Sequence, residues 1–212
     1  MTHFDDLLAG YARFRANGWK QQRERWEELA EGQSPKVMII ACSDSRSEPA
    51  DIFDTNPGEI FVVRNVAALV PPFETSPGRH GVSAALEFAV QFLNVEEIVV
   101  MGHGMCGGCH AALHRTMEGA EPGRGGFIAD WIAVLDEASA EVRARFPDYA
   151  NREAGRAMEL AGVKVSLANL RTFPCIQERE KRGRLTLRGA FFAINEGVLH
   201  LLDEATGEFA PA

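Results

Sequence analysis

The apolar positions of this chain fall into blocks of two different periods. From Phe4 to Glu31, Leu7, Leu8, Tyr11 and Phe14 recur at helical spacing, and Trp19, Trp26 and Leu29 continue the face. Gly18 offers a break in this predicted helical segment, and Gly32, Ser34 and Pro35 end it. A helical segment ahead of the first strand must cover something, either the chain's own sheet or a partner subunit. Lys36 to Cys42 is a nearly continuous apolar run, as expected of a strand buried on both faces, and a polar loop follows. Glu59 to Asn65 predicts a second strand, entered through the Asn56-Pro57-Gly58 turn, and Val95 to Gly102 a third. Between them, Pro71, Pro72 and Pro77 make Ala67 to Pro77 a loop, and the almost wholly apolar Gly81 to Leu93 predicts a core helix.

Further helices are expected over Gly107 to Met117, over Phe127 to Phe146 before Pro147, and over most of Tyr149 to Leu170, with Gly155 and Gly162 as weak points and Pro174 beyond. The charged run Glu178 to Arg184 is expected as a solvated loop. Leu185 to Ile194 and Val198 to Leu202 predict a hairpin around Asn195-Glu196-Gly197, and the tail from Ala205 turn and loop. Strands alternating with helices predict an α/β fold with a parallel sheet covered on both faces.

With 212 residues, one domain is the prior. A formal net charge of -8 argues against a nucleic-acid binder and against anionic membranes, because phosphate contacts need a basic face. The acidic start MTHFDDLLAG lacks the form of a signal peptide, and no apolar run approaches the ~20 residues of a spanning helix. The expected location is the cytoplasm. Four cysteines are too few for a disulfide framework, so ligands or buried thiols are expected.

Two strand ends carry the chemistry. VMIIACSDSR delivers Cys42, then Asp44 and Arg46 at two-residue steps; IVVMGHGMCGG delivers His103 and, three places on, Cys106. Zinc takes thiolate and imidazole tetrahedrally, and a catalytic site uses three protein ligands and keeps the fourth position open. Sites in parallel α/β sheets gather at the carboxyl ends of strands, so Cys42, His103 and Cys106 form a coherent set for one zinc per chain. A carboxylate only accepts hydrogen bonds, and a guanidinium fork keeps it ionised. Asp44 held by Arg46 beside a zinc-bound water would accept its proton; swung onto the metal, it would close the site.

Cys42-Ser43-Asp44-Ser45-Arg46 followed by His103-Gly104-Met105-Cys106-Gly107-Gly108 resembles the paired signature of the β-class carbonic anhydrases. Gly32 to Lys36, Pro57-Gly58-Glu59, Val63 to Ala67 and Gly189 to Glu208 extend the resemblance over most of the chain. It implies a parallel-centred mixed sheet flanked by helices, with residues 1–32 as a helical arm that wraps a partner subunit and residues 36–212 as the core of a single domain. It implies a homodimer or higher homo-oligomer. It also implies zinc on Cys42, His103 and Cys106, with Asp44 and Arg46 as the catalytic dyad and Asp44 as a fourth ligand in a closed form. The activity implied is reversible hydration of carbon dioxide to bicarbonate by zinc-activated hydroxide. COS or CS2 hydrolysis by the same hydroxide, or a structural-zinc interaction module sealed by Asp44, are the alternatives.

In the plant-like branch of that family, Gln33 would donate to substrate oxygen, Phe61 and Val66 would line an apolar pocket, and Gly107 would offer a backbone N–H. Phe88 stands where that branch often carries Tyr, which makes the pocket more apolar. The other branch has a Trp three residues before the first cysteine, in an inhibitory bicarbonate site. Ile39 occupies that position here and Ser47 replaces the usual Val. An open zinc at neutral pH is therefore expected, without that inhibition.

Several other patterns favour plainer readings. Gly102 to Gly107 also fits G-x-G-x-x-G, but its variable positions are the two ligands. Cys106 and Cys109 form a C-x-x-C in which a ligand cannot cycle freely, and Cys109 is expected in the core. His110 and His114, four apart, are expected to be solvated or hydrogen-bonded rather than a second metal site.

Overall fold

The computed structural model describes residues 2–212. The chain divides into two compact units, one ending at Ser34 and the other spanning Pro35–Ala212. The first holds three helices, α1 (Phe4–Ala16), α2 (Gly18–Gln21) and α3 (Arg23–Ala30). The backbone leaves helical geometry at Asn17, one residue before the expected Gly18, which instead opens α2. Phe14 meets Trp26 edge to face at 5.8 Å between ring centres. No residue of α1 is buried, and Phe4, Leu7, Leu8, Tyr11 and Phe14 all stand exposed.

The second unit is built on a six-stranded sheet. Its strands are β1 (Val37–Cys42), β2 (Ile60–Asn65), β3 (Glu97–His103), β4 (Thr186–Ala193), β5 (Val198–Asp203) and β6 (Glu208–Pro211). The spatial order is β2-β1-β3-β4-β5-β6. The first four strands run parallel, and β5 and β6 add an antiparallel edge. This is the parallel-centred mixed sheet that the family resemblance implies; the alternation of elements alone gave its parallel part.

Between strands lie α4 (Pro49–Ile52), α5 (Gly81–Glu87), α6 (Gly107–His114), α7 (Gly126–Ile132), α8 (Asp136–Arg145), α9 (Arg152–Leu170) and α10 (Pro174–Lys181). Side chains alternate across the central strands as a pleated sheet requires. Met38, Ile40, Ile98 and Val100 join Leu86 of α5, Val90 just beyond it, Val163, Leu167 and Leu170 of α9 and Ile176 of α10 in one core. Ile39, Ala41, Met101 and Ala190 face the other way with Ile52 and Phe53. Each fully buried Val, Leu, Ile or Met side chain among them contributes roughly 1.5–3 kcal/mol.

Four expectations are corrected. The tail contains β6, paired antiparallel with β5 through Leu201 and Ala210; Pro211 is tolerated because it sits on an edge strand. The charged run is not a loop: α10, with Pro174 at its start, continues to Lys181. Its Arg179 is anchored, donating to the Val90 carbonyl at 2.6 Å and to Asn94 Oδ1 at 2.9 Å. The helix over residues 81–93 buries Leu86, Ala89 and Val90 but turns Phe88 and Phe92 outward, stacked at 5.7 Å, where α5 runs on into a π-helical turn (Phe88–Leu93). Hydropathy alone does not separate a core face from an exposed apolar one. The segment from Phe127 to Phe146 is interrupted by a 3-10 turn at Ala133–Leu135. By contrast α9 runs unbroken through Gly155 and Gly162, the latter facing Cys109 and Leu135. Among the described residues, no helix is long and apolar enough to cross a membrane.

Candidate metal centre

β1 and β3 are neighbours with Ala41 opposite Met101, so Cys42 follows that pair by one residue and His103 by two, and both emerge at the carboxyl ends of their strands. Gly102 permits this packing: a Cβ there would lie 2.7 Å from Val163 Cγ2 of α9. Beyond His103, Met105 takes left-handed backbone (φ 60) and turns the chain so that Cys106 precedes the first residue of α6. The sulfur atoms of Cys42 and Cys106 and a ring nitrogen of His103 all lie within 4.8 Å of one another, and all three residues are buried.

The imidazole is oriented from behind. His103 Nδ1 lies 2.9 Å from the Gly104 carbonyl, which can only accept, so Nδ1 carries the proton. The other nitrogen, Nε2, is buried without a partner and presents its lone pair to the two thiols. Hydrogen bonding from Cys106, with burial, pushes the Cys42 thiol up to about 12, and the neighbouring Cys109 does the same for Cys106. An orphaned imidazole nitrogen beside two buried sulfurs is a soft, compact donor set that fits zinc.

Asp44 and Arg46 stand at the mouth. Asp44 Oδ1 accepts from the Arg46 backbone N–H and Nε, both at 2.9 Å, and Oδ2 accepts from Nη2 at 2.7 Å. The Arg46 side chain, followed by burial acting in the opposite direction, sets the Asp44 carboxyl well below the usual carboxylate range. Arg46 Nη2 also donates to the Met105 carbonyl at 3.1 Å, tying the two halves of the motif together. Asp44 Oδ2 stops 4.0 Å from His103 Nε2 and is not one of the clustered donors.

Of the other residues singled out, Phe61 is part-buried and meets Phe88 at 5.9 Å between ring centres, with Val66 and Phe88 both partly exposed. Gly107 opens α6 with free space where a Cβ would be. Gln33 belongs to the helical unit, outside the body that carries the rest.

Two supporting residues escaped the sequence reading. Glu159, on α9, is buried, and its Oε1 accepts the Cys106 backbone N–H at 3.1 Å. Its signal was a lone acid among Ala154, Met158, Gly162 and Val163, the residues α9 buries. Arg64 donates to the backbone carbonyls of Cys42 at 2.9 Å and Asp44 at 2.6 Å and pairs with Glu48. A single cation inside the apolar run EIFVVRN was the clue. Of the decoys, Cys109 is buried beneath Cys106, and His110 and His114 pack ring to ring at 4.2 Å.

Comparison with known proteins agrees with this geometry. A family model described as carbonic anhydrase matches residues 37–199. The chain is 34% identical over 195 residues to beta carbonic anhydrase 3 of Arabidopsis thaliana, covering 92% of this chain and 75% of that one. The solved β-carbonic anhydrase CcaA superposes with a TM-score of 0.91 at 29% identity, over 99% of this chain and 92% of that one. A tetrameric β-carbonic anhydrase of Sordaria macrospora superposes with a TM-score of 0.77 at 29% identity, over 94% and 96%. With the ligand cluster, the dyad and the sheet all in place, the chain belongs to the β-carbonic anhydrase family.

Proposed function

We propose that this protein uses one zinc per chain, held by Cys42, His103 and Cys106, to convert carbon dioxide and water reversibly into bicarbonate and a proton. The observation that carries the reading is the open corner: three buried donors converge while Arg46 holds the Asp44 carboxylate back. When bound there, zinc supplies Lewis acidity that brings the pKa of a coordinated water toward about 7. Asp44, ionised and able only to accept, fixes the hydrogen of the attacking water and turns a lone pair toward the substrate carbon. Arg46 keeps that carboxylate charged and aimed.

Phe61, Val66 and Phe88 suit a small apolar substrate. The Gly107 N–H would donate to the oxygen on which negative charge develops. A homo-oligomer is supported by the apolar face of α1, by outward Phe88 and Phe92, and by the tetrameric Sordaria relative. The cysteines are unpaired among the described residues, which suits a reducing compartment such as the cytoplasm. Stopped-flow carbon dioxide hydration on protein carrying about one zinc per chain tests the activity. Zinc-replete, folded protein that is inactive at every pH would refute it.

A further inference from the structure

The turn after β2 is strained, and its strain points at a metal ligand. Among the described residues, Ala67 (φ 65) and Ala68 (φ 55) are the only consecutive non-glycine residues with left-handed backbone. Such a conformation persists only where its surroundings over-determine it, and it concentrates at functional sites. Here the surroundings do so. Asn65 Oδ1 accepts from the Leu69 N–H at 2.8 Å and Asn65 Nδ2 donates to the Leu69 carbonyl at 2.9 Å. Trp131 Nε1 donates to the Val66 carbonyl at 2.8 Å, and Ser166 Oγ to the Ala68 carbonyl at 3.3 Å. From α6, Gly108 lies so close that a Cβ would stand 2.8 Å from Val66 Cγ1 and 2.9 Å from Ala67 Cβ. The product of all this constraint is one buried contact: the Ala67 N–H donates to Cys42 Sγ at 3.3 Å.

We infer that Gly108 and the Val66–Ala68 turn are positioning elements for Cys42: the missing side chain lets the turn close until the Ala67 N–H reaches the sulfur. An N–H donor fixes the direction of a thiolate, as hydrogen-bonding neighbours fix other metal ligands, and draws electron density from it. The weaker sulfur donor leaves the metal a stronger Lewis acid. The inference rests on the metal-centre reading above. Because Val66 also lines the proposed substrate pocket, activity alone would not separate the two roles.

The test therefore uses the full chain loaded with cobalt(II), whose thiolate charge-transfer band reports on the sulfur directly, together with zinc affinity by chelator competition. Gly108→Ala is expected to move the band to longer wavelength and to weaken zinc binding about tenfold or more. Adding Val66→Ala and Ala67→Gly removes the two atoms that the new Cβ would strike, and should return the band toward its original position. A Gly108→Ala protein with the wild-type circular dichroism spectrum and an unmoved band overturns the inference. If Gly108→Ala fails to fold, Trp131→Phe decides: a smaller shift in the same direction supports the inference, and no shift overturns it. Wild-type protein that takes up neither zinc nor cobalt would sink the metal-centre reading itself, a different failure.

Discussion

Replacing Glu159 separates anchoring of the ligand loop from ordinary stability. In Glu159→Leu, the Cys106 N–H loses its acceptor at 3.1 Å inside the protein. An orphaned buried N–H costs about 1–3 kcal/mol. Burial, however, already pushes the Glu159 carboxyl above its ordinary pKa, so the environment resists the charge that leucine would remove. The two effects offset, and the metal-free protein should melt within about 2–4 °C of wild type. Metal affinity has no such offset, because Cys106 sits just past the left-handed Met105 and loses the group that holds its backbone. Zinc binding should weaken by about 10–100-fold, or about 1.4–2.7 kcal/mol. Glu159→Gln retains an acceptor oxygen and should stay within about threefold of wild type. Competition with a chromophoric chelator near neutral pH measures the affinities, and thermal melts of stripped protein measure the stabilities. If Glu159→Leu melts like wild type and binds zinc equally well, the anchoring argument is wrong.

Other perturbations have equally definite outcomes. Asp44→Asn should retain about one zinc per chain while losing about 100-fold or more in turnover; full turnover with bound zinc would remove Asp44 from the chemistry. Because Arg46 depresses the Asp44 pKa, the carboxylate stays ionised until pH falls through that lowered value, so it should give no inflection in activity between about pH 5 and 9. An acid limb in that range that disappears in Asp44→Asn would contradict this. Gly102→Ala forces a Cβ to 2.7 Å from Val163 Cγ2 and should cost about 1–3 kcal/mol in denaturant melts; an unchanged midpoint would show that α9 can yield. Chelation of the metal should lower the melting temperature by about 10 °C, reversed by added zinc, since a ligand at a thousandfold excess over its Kd stabilises by about 4 kcal/mol. Calorimetry showing one melting temperature in both states would refute tight binding to the folded chain.

The cluster of candidate donors was legible because metal-ligand chemistry restricts both residue type and placement. Cys42, His103 and Cys106 follow apolar runs that can hardly be anything but strands, and strand ends are where a parallel sheet gathers its sites. The parallel core and the final hairpin were legible for the same reason. What local pattern could not convey were long-range partnerships. Glu159 lies 53 residues from the N–H it receives, and Arg64 lies 22 from the carbonyl of Cys42. Arg179 looked like solvent-facing charge until α10 placed it against the carbonyl of Val90. Phe88 and Phe92 looked like core because hydropathy is blind to which side of a helix meets the sheet. The left-handed Ala67–Ala68 pair had no sequence signature, since alanine ordinarily avoids that backbone.

The staggered emergence of Cys42 and His103 from adjacent strands also bears on how the chain reaches its fold. Cys42 follows the Ala41–Met101 pair by one residue and His103 by two, so sliding β1 along β3 by one position would shift one donor by about 3.3 Å against the other and break a cluster whose atoms lie within 4.8 Å of one another. A misthreaded chain could not capture the cation. A metal held by both halves would therefore act as an inspector of strand threading, rewarding only the chain whose two halves have met in the right alignment.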